Sequence, residues 1–347
     1  MPEVPRKPAP RLKTLDALRG VASLAVCWFH LTNGNQLFLP EGFVKATGAY
    51  GWLGVDVFFV ISGFVIPYAL HHASYSHVHY GRFLLKRVVR LDPPYIAAIG
   101  LALVLGYLSQ RAPGFAGPPF RPTVAQVALH LGYVNVFFGH PWLNPVFWSL
   151  AIEFQYYLVV GLLFGLVADG RRAFRYASMA GFGSLAFVFP QQQFLCHYAF
   201  LFLLGIGTFQ YRLGLVRVRA YTVLTIFLTL GAALCMGWVI AVVGLTTALT
   251  IAFLEVSARP LVFLGNISYS LYLTHAPIGS RVVNLWARAT TAVPLRFLGL
   301  AVALAVSILA AWLLYRLVER PAREWSGRIH YGPFPLRGAS ALEPERA

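Results

Sequence analysis

Ionisable side chains interrupt otherwise apolar runs of this chain at spacings that chemistry could use. In LKTLDALRGVASLAVCWFHL the interruptions are Asp16, Arg19 and His30. Arg19 and His30 stand eleven residues apart, about 16 Å along a helix and close to three full turns, so both point to one side. A guanidinium near one end and an imidazole deeper in would line a path from a membrane face to a reaction centre, where neutral imidazole can take a proton near pH 7. Asp16, three residues before Arg19, is equally an intrahelical partner for it, and His30 could be a hydrogen-bonded structural histidine. In NPVFWSLAIEFQYYL, Glu153 follows Ser149 by about one turn, beside Trp148, Gln155, Tyr156 and Tyr157. A carboxylate at that depth needs a partner, and a neighbouring arginine would be the plain choice. GVDVFFVISGF carries Asp56, Ser62 and Gly63. Ser62 is a candidate oxyanion donor, although helix packing alone would explain the Ser-Gly pair.

The basic run GRFLLKRVVRLDPPY sets Arg87 and Arg90 three apart on one helical face, with Arg82 and Lys86 beside them. Clustered guanidiniums suit planar recognition of phosphates; an ordinary basic loop would explain the charge but not the spacing. Asp92 is followed by Pro93 and Pro94, which read as the opening of the next helix. In GNISYSLYLTHAPI, the tyrosines read as interfacial residues and His275 as a structural histidine near the outer end. VERPAREW, with Glu319 and Arg320 before Pro321, reads as a helix stop. HHASYSHVHY holds His71, His72, His77 and His79 without a cysteine or an acid, and no metal is expected there.

The elements that must position these groups follow from composition. Of 347 residues, 58% are hydrophobic and 12% charged, where a soluble domain carries about 25% charged residues. Lipid is therefore the solvent for most of the surface. The net charge of +16 invites a nucleic-acid reading. The Lys and Arg residues sit instead in short clusters between apolar runs, as in cytoplasmic loops facing anionic lipid headgroups, so membrane lipids and not nucleic acid are the expected partners. Cys27, Cys196 and Cys235 are widely spaced and suggest no disulfide framework. The expectation is an all-α, polytopic membrane bundle of about ten helices, near 15–32, 52–70, 93–109, 146–168, 174–190, 194–211, 220–235, 237–256, 261–280 and 296–318. The apolar stretch 124–138 is too short for a span and reads as re-entrant or interfacial. With this map the outer segments hold Lys45, Arg111, Arg121, Arg281, Arg288 and Arg296, and the remaining 22 of 28 Lys and Arg fall inside, with both termini cytoplasmic. Residues 1–14 read as a polar tail, 15–322 as one integral membrane domain, and 323–347 as a second polar tail.

LDALRGVASLAVCWFH, GVDVFFVISGF, FLLKRVVRLDPPY, FWSLAIEFQYYL, ISYSLYLTH and VERP together, in this order, resemble the acyltransferase-3 family over about residues 12 to 322. The resemblance implies an O-acyltransferase of a bacterial cytoplasmic (inner) membrane. It would take an acyl group, commonly acetyl, from cytoplasmic acyl-CoA to a hydroxyl of a carbohydrate or glycolipid, as in polysaccharide modification. The family's first-span arginine and histidine match Arg19 and His30. Its Arg-x-x-Arg pattern, associated with the CoA phosphates, matches Arg87 and Arg90, and its Trp-Ser-Leu-x-x-Glu pattern matches Trp148, Ser149 and Glu153. His30, Glu153, Arg19 and Asp16 are thus the candidate catalytic set, and Arg87, Arg90, Ser62, Trp148 and Ser149 the candidate donor-binding set. His30 would be the general base, with Glu153 or Asp16 orienting it or pairing with Arg19; direct transfer and a transient acyl-histidine relay both remain open. Some relatives carry a further soluble hydrolase-like domain, and this chain resembles the stand-alone branch. The competing class is a transporter or flippase for a glycolipid or small anion, for which no inverted repeat is evident.

Overall fold

In lipid, backbone N–H and C=O groups find no partner but one another, so long apolar runs coil into helices. The computed structural model describes residues 12–112, 115, 117, 119–168 and 171–331, and among them there is no strand. The chain forms α1 (Lys13–Asn33), the short α2 (Phe43–Gly48), α3 (Gly54–His72), α4 (Tyr80–Gln110), α5 (Val124–Leu131), α6 (Phe147–Ala168), α7 (Arg172–Val188) and α8 (Ala199–Arg212). It continues through α9 (Val218–Met236), α10 (Trp238–Phe253), α11 (Arg259–Asn266), α12 (Ser268–Thr274), α13 (Ser280–Ala289), α14 (Val293–Leu314) and α15 (Arg320–Gly327). Among the described residues, five helical stretches are long and apolar enough to cross a membrane: Phe43–His72, His77–Gln110, Phe147–Ala168, Val218–Met236 and Val293–Gly327. Their outward faces stay apolar, as the exposed Val223, Phe227, Leu230 and Leu234 of α9 illustrate, which is the arrangement that lipid contact calls for.

α3 is the hub, packed against α1, α6, α8 and α10. Its crossing with α8 is set by Gly63 and Gly205. A Cβ on Gly63 would lie 2.2 Å from the carbonyl oxygen of Phe202, and one on Gly205 would lie 2.2 Å from that of Val60. Small residues of this kind let two membrane helices bring their backbones together. α1 crosses α11 in the same way: a Cβ on Gly265 would meet the Asp16 carbonyl oxygen at 2.0 Å. That contact holds the first turns of α1, and Arg19 with them, against the later half of the chain.

Several expected boundaries shift. The span expected at 93–109 is the second part of the 31-residue α4, with Pro93 and Pro94 inside the helix. The arginine cluster is therefore on a helix that continues into the bundle, not in a loop. The span expected at 261–280 is broken at Ile267 and again by a π-helical turn, His275–Gly279, before running on through α13. Pro321 does not stop the last helix. A second π-helical turn, Tyr315–Glu319, precedes it, and α15 continues to Gly327. The wider turn accommodates the proline ring and its missing N–H, which a regular helix would not. Residues 1–11 and 332–347 of the two expected tails lie outside the described residues, while 323–327 are helical.

The 124–138 stretch forms the eight-residue α5 and a 3₁₀ turn, Asn135–Phe138. Eight residues rise only about 12 Å, too little to cross a membrane. Thr123 caps α5 by accepting from the Gln126 N–H at 3.0 Å. Buried His130 accepts the Leu143 N–H at Nε2, 3.1 Å away, and its Nδ1 lies 2.7 Å from both the Gln126 carbonyl oxygen and the Asn135 side-chain amide. Burial holds this imidazole below the ordinary histidine range. The segment is also pinned by Tyr133, which stacks on Tyr95 and Phe154 and donates to Asp92 at 2.9 Å.

Candidate active site

The intramembrane polar residues gather around two cavities set end to end. The first, of about 150 Å³, is lined by Arg19 of α1, Ser62 of α3, Arg87 and Arg90 of α4, and Ser149, Glu153 and Tyr157 of α6. Tyr269 and Tyr272 of α12, Glu319 and Arg323 complete it. Arg19 lies in the second turn of α1 and Arg323 in the final helix, so this cavity opens on the bundle face where both ends of the described chain lie.

Four guanidiniums thus face two carboxylates, and the carboxylates are already engaged. Glu319, 2% exposed, accepts from the Ser270 hydroxyl at 2.6 Å and amide at 3.2 Å, and Arg323 pairs with its other oxygen at 3.4 Å. Glu153 accepts from the Ser62 hydroxyl at 3.0 Å and from the Tyr157 hydroxyl. Hydroxyls, rather than the expected arginine, hold this carboxylate. The Arg87 guanidinium lies 5.3 Å from the Phe83 ring centre and 5.4 Å from that of Tyr157. Its Nε is buried with no hydrogen-bond partner. A cavity with surplus, incompletely satisfied guanidiniums in low-dielectric surroundings is a site for a multiply charged anion, and the planar fork of arginine favours phosphate.

The second cavity, of about 310 Å³, lies beyond the first toward the opposite face. His30 lines it from the last turns of α1, with Trp52 and Asp56 from the start of α3, Trp148 from α6, and His197 and Tyr198 from the connection into α8. Val55 and Tyr272 line both cavities. They are the partition between them. Tyr272 is held in that place by its hydroxyl, which lies 2.5 Å from the Ser149 hydroxyl and 3.1 Å from the Val146 carbonyl oxygen, to which it donates. Phe58 packs edge-on against its ring at 5.9 Å.

Six of the nine expected site residues, Arg19, Ser62, Arg87, Arg90, Ser149 and Glu153, therefore share one cavity. Three do not. His30 stands on the far side of the partition, away from Glu153. Trp148, expected beside Ser149 at the donor, faces the His30 cavity instead, tilted against Tyr198 at 5.8 Å. Consecutive helical residues point about 100° apart, so neighbours in sequence can serve opposite cavities. Asp16 lines neither; its backbone is taken up by the crossing with Gly265. The sequence does not mark Tyr157, Tyr272, Glu319 and Arg323 as site residues, although all four line the first cavity. The i,i+4 spacing of Glu319 and Arg323 was a usable signal, hidden by reading Pro321 as a stop. From the sequence alone, His275 is expected in a structural role near the outer end. The residue is fully buried, with its ring centre 5.1 Å from that of His30.

Among known proteins, the acyltransferase-3 family model, described as an acyltransferase domain, matches residues 12–316. A protein named membrane-bound transacylase BcsY, from Komagataeibacter xylinus, is 28% identical over 92% of this chain and 85% of its own length. Protein 2 in the picA locus of Rhizobium radiobacter is 35% identical over 28% of this chain and 46% of its own. O-acetyltransferase OatA of Staphylococcus aureus is 29% identical over 44% of this chain, and the match spans 24% of that relative. No solved structure matches the chain.

Proposed function

Since this chain belongs to the acyltransferase-3 family, we propose that it is a multi-pass O-acyltransferase of a bacterial inner membrane, moving an acyl group from cytoplasmic acyl-CoA to a hydroxyl of a carbohydrate or glycolipid. Acetyl is the simplest group it would carry. The observation that supports this reading is the pair of cavities meeting at Val55 and Tyr272, one rich in guanidinium and the other holding His30. The excess of Lys and Arg on segments at the arginine-lined face supports a cytoplasmic placement of that face.

The CoA phosphates would sit among Arg87, Arg90 and Arg19, with the free Nε of Arg87 as one donor. The pantetheine arm would run between α1, α3 and α6, carrying the thioester toward the partition. On the other side an acceptor hydroxyl would lie against His30. His30 takes the hydroxyl proton as the oxygen attacks the thioester carbonyl carbon, so the C–O bond forms while the C–S bond breaks. CoA leaves as thiolate and recovers a proton from the imidazolium. Placing donor and acceptor at the two sides of one partition requires no movement of CoA through the membrane.

The test is release of CoA thiol from acetyl-CoA by the full chain in proteoliposomes, with and without a mixed cell-surface polysaccharide extract. Acceptor-stimulated release is expected from the native protein. His30→Ala should abolish it, since general-base groups contribute on the order of 10²–10⁴-fold. Undiminished release by a well-expressed His30→Ala protein refutes the base assignment. Absence of both thiol release and acetyl-CoA binding in the native protein would favour a transporter instead.

A further inference from the structure

The hydrogen bonds of His275 leave one of its ring nitrogens unaccounted for. Nδ1 lies 2.9 Å from the Leu271 carbonyl oxygen, one turn back on the helix. A carbonyl only accepts, so Nδ1 carries the proton and Nε2 presents a bare lone pair. That Nε2 is buried and has no hydrogen-bond partner. An unpaired buried acceptor costs free energy, so a donor brought to Nε2 is held there.

His30 is the polar ring beside it, centre to centre at 5.1 Å. The two rings are tilted 46° to one another and are not hydrogen-bonded as they stand; two imidazoles joined edge to edge through one N–H···N bond of about 2.9 Å keep much the same separation, so a turn of the His30 ring is enough to form it. The backbone is shaped to bring His275 here. His275 opens the π-helical turn His275–Gly279, which contains Pro277, and single π turns recur at functional sites. Gly279 at its other end is pressed between α14 and α1. A Cβ there would lie 2.4 Å from Ser307 Oγ and 2.8 Å from Leu31, the residue after His30.

We infer that His275 is a positioning residue for His30: on a turn of the His30 ring, the bare Nε2 of His275 accepts the N–H of one His30 nitrogen, leaving the other nitrogen of His30 bare and turned to the second cavity to receive the acceptor's proton. This rests on the reading of His30 as the base. The tautomer of the base is thereby fixed by a second histidine whose own tautomer is fixed by the Leu271 carbonyl. In a membrane interior with few acids at hand, a neutral acceptor does the orienting that a carboxylate does in other sites, and avoids burying a charge.

Two variants separate this from a packing role. His275→Asn retains an amide N–H able to donate to Leu271 but has no acceptor at the Nε2 position. His275→Gln can set its amide oxygen near that position. CoA-thiol release from acetyl-CoA is measured for both with the polysaccharide extract, together with thermal stability in detergent. The expected result for His275→Asn is a kcat lower by about tenfold to a hundredfold, less than the loss on removing the base itself, with the KM for acetyl-CoA and the melting temperature near native. His275→Gln should recover most of the lost kcat. A native kcat in His275→Asn overturns the proposal, as does a His275→Gln protein that is folded but no better than His275→Asn. A fall in stability that tracks the fall in kcat across both variants assigns His275 to packing and overturns it too. If His30→Ala retains full transfer, the reading beneath the proposal has failed instead.

Discussion

At the scale of single residues, the inner cavity is a balance of guanidiniums over carboxylates, and Arg87 carries its unspent part. Phe83 and Tyr157 hold the Arg87 side chain between them, while Glu153 is occupied by Ser62 and Tyr157. Charge-assisted hydrogen bonds to phosphate contribute about 1.5–3 kcal/mol each. Replacing Arg87 and Arg90 together by alanine should therefore raise the KM for acetyl-CoA by at least tenfold with a smaller change in kcat. Arg87→Lys should fall well short of native, because an ammonium neither spreads between the rings nor offers a planar fork. Initial-rate kinetics on the proteoliposomes measure both, and an unchanged KM in the double variant would remove the phosphates from this site.

At the scale of elements, close crossings rather than side-chain bulk set where α1 and α3 deliver their residues. Ser62 reaches Glu153 of α6, while the next residue, Gly63, meets α8 at backbone contact. A methyl on Gly205 would lie 2.2 Å from the Val60 oxygen and 2.6 Å from the Phe64 nitrogen, both backbone atoms that cannot rotate away. Overpacking of this kind typically costs about 1–3 kcal/mol. Gly205→Ala should lower the melting temperature in detergent and reduce transfer by displacing α3. Gly165, where a Cβ would meet nothing within 4 Å, is the control. Gly165→Ala should be neutral or slightly stabilising, since alanine gains about 0.8–1 kcal/mol over glycine in a helix. The two π-helical turns belong to this scale as well. One brings His275 to His30, and the other lets the chain pass Pro321 and return Arg323 to the cavity.

At the scale of the whole molecule, the bundle keeps two chambers apart with a partition of two side chains, Val55 and Tyr272. On the proposed reading, the partition would keep water in the second cavity away from a thioester in the first until an acceptor is seated. Tyr272→Ala removes the ring together with its bonds to Ser149 and Val146. Acceptor-independent CoA release should then rise relative to acceptor-stimulated release, through hydrolysis of the donor. Thiol release measured with and without the polysaccharide extract gives that ratio, and an unchanged ratio would show that Tyr272 does not isolate the chambers.

Much of this protein was legible in the chain itself. Apolar run length and the near absence of charge determined an all-helical membrane bundle, because lipid leaves the backbone no other way to satisfy its hydrogen bonds. The cost of burying ionisable groups made Arg19, His30, Arg87, Arg90 and Glu153 conspicuous. The 3.6-residue period predicted which of them share a helix face, as for Arg87 and Arg90. Which face looks into which chamber was beyond that period, since it depends on how each helix is rotated against its neighbours. Backbone contacts at Gly63, Gly205 and Gly265 decide that rotation, and they join residues far apart in sequence. Only the tertiary structure therefore separated Trp148 from Ser149 and His30 from Glu153, and returned Arg323 from the far end of the chain to the arginine cluster. His275 is the sharpest case. Its type and spacing fit a packing residue, and only the π-helical turn, a local departure from the regular helix assumed in reading a sequence, sets it against His30.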